Sequence, residues 1–213
     1  MRKANYDKFP STKLTGMLVQ GWDSIISMLK KKMDARKVLA VDLYTGVYEE
    51  EVLGAFSKEF SGRVMNVRDL MKPEKEIQAL TERFMTEDVL FGYVTNLKLE
   101  DYLDADKVAA ARKQISEAKE TIVIIGTGAA VVAPQDAMVV YADMARWEIQ
   151  QRFRRHEVKA LGIDNRNDAV SLQYKRGYFN DWRVCDRYKE RLFDRVESVS
   201  YTHLRAHETD SYL

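Results

Sequence analysis

Arginine is the residue type in this chain best placed to do chemistry. Arg146, Arg152, Arg154 and Arg155 fall in one ten-residue stretch. A guanidinium presents a planar fork of N–H donors that matches phosphate and carboxylate oxygens, so this cluster is a candidate anion site. A second set, Arg183, Arg187, Arg191 and Arg195, repeats at a strict spacing of four. Asp186, Glu190 and Asp194 each follow one of them by three residues. That spacing reads as ion pairs along a solvated helix face. The first cluster has fewer acids within pairing distance and is the better anion candidate. His156 beside it has no partner that spacing identifies and reads as a surface histidine. Residues 146–195 carry ten Arg and three Lys against eight Asp and Glu, in a chain whose formal net charge is +1. The interleaved acids argue against nucleic acid as the anion.

Phosphate chemistry would also need a backbone cradle. The turn after the first apolar run reads Asp42-Leu43-Tyr44-Thr45-Gly46-Val47-Tyr48, followed by Glu49, Glu50 and Glu51. A P-loop wraps phosphates with the amides of two glycines, then supplies Lys and a Ser or Thr. Here Thr45 and Gly46 stand at the P-loop position with a single glycine, and no Lys follows before Lys58. Three glutamates at the helix start stabilise its positive dipole end and repel a phosphate there. This is a degenerate Walker A. Gly126-Thr127-Gly128 follows a strong strand pattern, but Val131 replaces the third fingerprint glycine and Pro134 interrupts the helix. A tight turn accounts for both glycines.

Asp42 and Asp143 end two strand patterns, where open α/β sheets place their ligand crevice. Such carboxylates can hold magnesium through water or cap the following helices, and capping is the commoner task. His203 and His207 at i, i+4 make only half a metal site. The reading is that no metal and no catalytic residue is held here. Cys185, the sole cysteine, sits on a stripe with Tyr178, Trp182, Tyr188 and Leu192 and reads as a buried, inert thiol.

The elements that would position these groups alternate. Trp22 to Arg36 is helical, with Trp22, Ile25, Ile26, Leu29 and Met33 on one stripe. Val38–Val41, Arg63–Val67, Thr121–Ile125 and Ala137–Tyr141 read as strands of the buried parallel kind. Helices fall at 48–60, ended by Gly62, after Pro73, and from the Asp104 cap to about Lys119. Met85 to Asp104 is the least regular stretch, although Phe91, Tyr93, Leu97, Leu99 and Tyr102 make it more than a linker. Ala145 to Glu197 reads helical with a break near Gly162–Asn167. This alternation predicts an α/β fold, a three-layer parallel sheet covered on both faces. One cysteine rules out an internal disulfide and fits a reducing, cytoplasmic setting. No apolar run reaches the roughly 20 residues a membrane helix needs, so no membrane contact is expected.

The layout of Ile122–Gly126, Val140–Asp143, the Arg152-Phe153-Arg154-Arg155 helix and Gln173-Tyr174 resembles the second half of a uridine-kinase-type P-loop fold. That resemblance implies a P-loop-kinase-like domain whose arginines would belong to a lid over phosphates. A longer set of segments resembles the N-terminal region of long bacterial proteins named as class I mannose-6-phosphate isomerases. It comprises residues 5–10, 141–149, 164–167, Gln173-Tyr174-Lys175-Arg176-Gly177 and Asp181-Trp182-Arg183-Val184-Cys185-Asp186-Arg187. In that family a downstream zinc-dependent cupin domain interconverts mannose 6-phosphate and fructose 6-phosphate. The resemblance implies an extension with helix (1–36) and a uridine-kinase-like domain (37–199); from Ser200 the run shows no usable period, and the tail (200–213) resembles translated sequencing adapter. The isomerase resemblance further implies a non-catalytic kinase-like domain in sugar-phosphate metabolism, with a ligand-sensing or interface role. Its partners would be a missing C-terminal cupin, where zinc is expected, and a nucleotide or sugar phosphate. No cofactor is expected in this chain. The alternative is an active nucleoside or sugar kinase with an atypical phosphate site.

Overall fold

The computed structural model describes residues 17–201. Its elements are α1 (Trp22–Met33), β1 (Val38–Leu43), α2 (Glu49–Glu59), β2 (Arg63–Asn66), α3 (Glu74–Met85) and α4 (Ala105–Glu117). They continue with β3 (Ile122–Gly126), α5 (Ala129–Val132), β4 (Met138–Asp143), α6 (Arg146–Arg154) and α7 (Val170–Arg176). A π-helical turn, Gly177–Asp181, joins α7 to α8 (Trp182–Leu192), and β5 (Val196–Tyr201) follows.

The strands form one all-parallel sheet in the order β2-β3-β1-β4-β5. β1 is central, and every residue of β1 and β3 is buried, as apolar runs covered on both faces must be. Leu39, Val41, Val123, Ile125 and Val140 turn to the layer built by α1 and α2. Ala40, Ile124, Val139 and Tyr141 turn to the layer of α3, α4, α6 and α8. This is a three-layer α/β domain with an all-parallel sheet. Ile26, Leu29 and Met33 of α1 belong to the same core as β1, so the boundary drawn after residue 36 does not separate two packing units. Among the described residues no helix is long and apolar enough to cross a membrane.

Five sequence readings change. The helical reading of Ala145–Glu197 fails at both ends of its second half. α6 stops at Arg154, α7 begins only at Val170, and Val196–Tyr201 is an edge strand. β5 carries Ser200 and Tyr201 into register with Ala142 and Asp143, so a boundary at 199 cuts a strand. Residues 202–213, including His203 and His207, lie outside the described residues.

Gly62 is not the helix cap, because Phe60 closes α2 in extended conformation. Its requirement is a close approach: a Cβ there would sit 2.0 Å from the Thr121 carbonyl oxygen. Tyr178 leaves the core stripe and is 37% exposed, because the extra residue in the π-turn shifts the helical register. The arginines spaced by four are not a self-paired ladder either. Arg183, Arg187 and Arg195 donate to the carbonyls of Tyr178, Leu97, Ala130 and Pro134, and Arg191 pairs with Glu100.

Candidate functional site

The carboxyl ends of the parallel strands are where this architecture opens a ligand crevice. The penultimate residue of β1, Asp42, is wholly buried. Its Oδ1 accepts the Gly128 amide at 3.0 Å, and its Oδ2 accepts the Ala130 amide at 2.9 Å and the Tyr188 hydroxyl at 2.5 Å. Gly128 is left-handed at φ 95°, the conformation that lets the turn after β3 aim its amides at one point. The two-glycine turn thus encloses a carboxylate of its own chain. Asp42 does cap a helix, but it caps α5, the one after β3. Burial outweighs these hydrogen bonds and raises its pKa to about 6.

The turn at the P-loop position is closed by internal bonds. The Tyr44 amide donates to the Ala142 carbonyl at 2.9 Å, and the Val47 amide to the Tyr44 carbonyl at 3.2 Å. Cys185 is buried behind the turn, and burial pushes its thiol pKa well up. Gly46 has φ 92°, and a Cβ on it would stand 2.8 Å from the Ile149 side chain. Its carbonyl accepts Arg152 Nη1 at 2.8 Å. Arg152 is buried, pairs with Glu148 at 2.9 Å, and stacks 3.6 Å from the centre of the Tyr48 ring. One candidate anion ligand therefore serves as a brace that fixes the turn from behind.

The three glutamates at the start of α2 are each engaged. Glu49 pairs with Arg68 at 3.2 Å, Glu50 with Lys159 at 2.8 Å, and Glu51 accepts the Trp22 indole N–H at 3.0 Å. Lys159 holds the Glu50 carboxyl below the ordinary glutamate range. Between this turn and Glu157–Gly162 runs a crevice also lined by Arg68, Met71 and Thr127, with about 40 Å³ of free space. That holds a water molecule or two, whereas small-molecule sites run to roughly 300–1,000 Å³.

The other arginines do not converge. Arg146 pairs with Asp186, which also accepts the Tyr44 hydroxyl at 2.7 Å. Arg155 bridges Glu148 at 3.2 Å and Glu157 at 2.9 Å, and Glu157 accepts the Tyr48 hydroxyl at 2.5 Å. Arg154 is exposed, bonds Gln151 on its own helix and lies over the Trp147 ring. Asp143 pairs with Lys189 at 2.6 Å and accepts the Met144 amide, so its role is a cross-link from β4 to α8. Among the described residues no three His, Cys, Asp or Glu side chains form a metal-sized group. His156 takes up a left-handed backbone at φ 56°, with Nδ1 against the Arg166 carbonyl oxygen.

A second polar region had no signal in the sequence. At the π-turn Arg176 and Asp181, both buried, face each other at 3.6 Å. Arg176 Nη1 donates to Thr81 and Asp181 Oδ2 accepts the Leu161 amide. Arg176 Nε and Nη2, Asp181 Oδ1, Tyr102 Oη, Asn180 Oδ1 and Trp182 Nε1 have no hydrogen-bond partner. Burial raises the Asp181 pKa against the pull of Arg176. π-turns occur often at functional sites.

Residues 21–208 match the model of a domain of unknown function, DUF8485. The chain belongs to the DUF8485 family. No curated protein matches the chain. Among solved structures, the DUF8485 domain is similar to a shikimate kinase from Acinetobacter baumannii in complex with shikimate. The TM-score is 0.39 and the identity 11%, over 84% of this chain and 90% of that one. A likeness of that size carries no inference about ligand or reaction.

Proposed function

We propose that this DUF8485 domain is a kinase-like module that transfers no phosphate and acts as a binding or interface unit. The observation that carries this reading is the turn at residues 44–48. The Tyr44 and Val47 amides donate inward, the Gly46 carbonyl is held by Arg152, and paired glutamates occupy the helix end where a phosphate would sit. A nucleotide would have to break these bonds and overcome the repulsion of the three acids. The residues present therefore do not fit a nucleoside triphosphate. The segments that resemble class I mannose-6-phosphate isomerases support sugar-phosphate metabolism as the setting, with a zinc cupin domain as partner. In a ligand-sensing role the exposed Arg154, with the accessible edge of Arg155, would contact the anion.

Thermal unfolding with magnesium ATP, magnesium ADP, inorganic phosphate and mannose 6-phosphate tests this, alongside a phosphate-transfer assay on nucleosides and hexoses. The expected result is no turnover and no midpoint shift with either nucleotide. A shift with mannose 6-phosphate alone identifies a sensor. Stabilisation by ATP with turnover above background would establish the active kinase instead.

A further inference from the structure

The segment between α3 and the 3-10 turn at Leu99–Tyr102 belongs to no helix or strand and is nevertheless firmly held. The Asp88 carboxylate accepts the amides of Leu90 and Phe91, both at 2.7 Å, and Thr86 Oγ1 donates to the Phe91 carbonyl at 2.6 Å. The Tyr93 amide donates to the Phe84 carbonyl and the Thr95 amide to the Phe179 carbonyl, at 2.8 and 2.9 Å. Buried Lys175 donates to the carbonyls of Thr86 and Asp88. Gly92 lies so close to α3 that a Cβ would sit 2.4 Å from the Phe84 carbonyl oxygen.

This ordered backbone turns its large apolar side chains outward. Val89 is 70% exposed, Phe91 and Tyr93 68%, and Leu90 and Val94 also stand in solvent. Tyr174 and Tyr178, stacked on each other, extend the surface along α7 and the π-turn. Five large apolar residues among six consecutive ones on a rigid loop far exceed the scattered exposed apolar side chains of an ordinary surface.

The charges around this strip are ordered along it. Glu87 and Asp88 lie at the end pinned by Lys175. The opposite end carries Arg183, which donates to the Tyr178 carbonyl and lies over its ring, and Arg83, which reaches Asn96. The surface thus runs from acidic through apolar and aromatic to basic. A two-fold axis through its middle sets acid against base at both ends and aromatic rings against aromatic rings, the self-complementarity an isologous contact requires. We infer that the loop 87–94, with Tyr174 and Tyr178, binds a second copy of this chain in antiparallel two-fold fashion. The inference is independent of the phosphate turn.

Sedimentation velocity on the full chain over about a hundredfold range of concentration reads this directly, because a reversible dimer responds to mass action. The expected result is a concentration-dependent monomer–dimer equilibrium. Phe91→Ser with Tyr93→Ser should weaken it at least about tenfold, with an unchanged circular dichroism spectrum. Glu87→Arg and Arg183→Glu should each weaken self-association, and mixing the two variants should restore a dimer. In the mixed pair one end carries the two exchanged charges and the other the two native ones, so both ends attract. A chain that stays monomeric throughout overturns the inference. So does a dimer indifferent to the serine variants, or charge variants that fail to complement each other. Monomers that co-sediment with phosphatidylcholine vesicles would assign the strip to a lipid surface and likewise overturn it.

Discussion

The turn after β1 and the π-turn between α7 and α8 treat buried polarity in opposite ways. At residues 42–48 carboxylate, carbonyl and guanidinium are matched, and Asp42 alone receives three donors. At residues 176–182 a guanidinium and a carboxylate are equally deep, but they meet at 3.6 Å with several of their atoms unpartnered. The first arrangement rigidifies a turn and closes it to ligands. The second leaves several buried polar atoms without a protein partner, an arrangement that enclosed water can complete. The difference teaches that position in the fold does not decide which buried polar site is available. The place where this architecture usually binds is matched within the protein, and the buried polar atoms without protein partners lie elsewhere.

The comparison can be broken most forcefully at Asp181. Replacing it with Ala strands the Arg176 charge in the interior and should cost about 3–5 kcal/mol in urea unfolding. Arg176→Met combined with Asp181→Leu removes both charges and should be neutral or more stable. A loss below about 1 kcal/mol for the single variant would mean water already reaches the site.

Asp42 sharpens the other side through pH. Its folded pKa, raised to about 6, lies above its ordinary value of 3.8. Between those values the folded state holds more protons than the unfolded one, so stability falls as pH rises through that window. The loss levels off above pH 6 and is on the order of 3 kcal/mol. Subtracting the Asp42→Asn profile from that of the parent isolates this slope. A flat difference between pH 4 and 7 would refute the burial argument.

Gly46→Ala tests whether the turn is held as tightly as its bonds imply. The positive φ and the Ile149 contact together should lower stability by about 2 kcal/mol, read from the denaturant midpoint. A change of only a few tenths would show a loose turn. The smallest effect is expected outside both regions. The Arg191–Glu100 pair is half exposed, and Arg191→Ala should shift stability by less than about 1 kcal/mol. A larger loss would mark α8's outer face as structural.

Much of the frame is legible in the sequence. Val38–Val41, Thr121–Ile125 and Ala137–Tyr141 announced themselves because a strand buried on both faces must be apolar throughout. Asp104 was readable as a cap since its carboxylate bonds amides only two and three residues away. β5 was not legible: an edge strand needs only one covered face, and Val196–Tyr201 mixes serines and a glutamate. The arginines between 146 and 195 were visible as a type, and their partners were not. Glu148 is four residues from Arg152, but Asp186 lies 40 residues from Arg146 and the Gly46 carbonyl 106 residues from Arg152.

What the sequence by itself determined is therefore the local chemistry: which runs are strands, where helices start, and that the first turn lacks a phosphate-binding Lys. Those properties depend on periodicity and on hydrogen bonds spanning a few residues. Only the tertiary structure decided that Asp42 faces the turn after β3, that Arg152 braces Gly46, and that the loop at 89–94 points its apolar side chains outward. Each depends on which distant elements the parallel sheet brings together, and no short-range pattern encodes that.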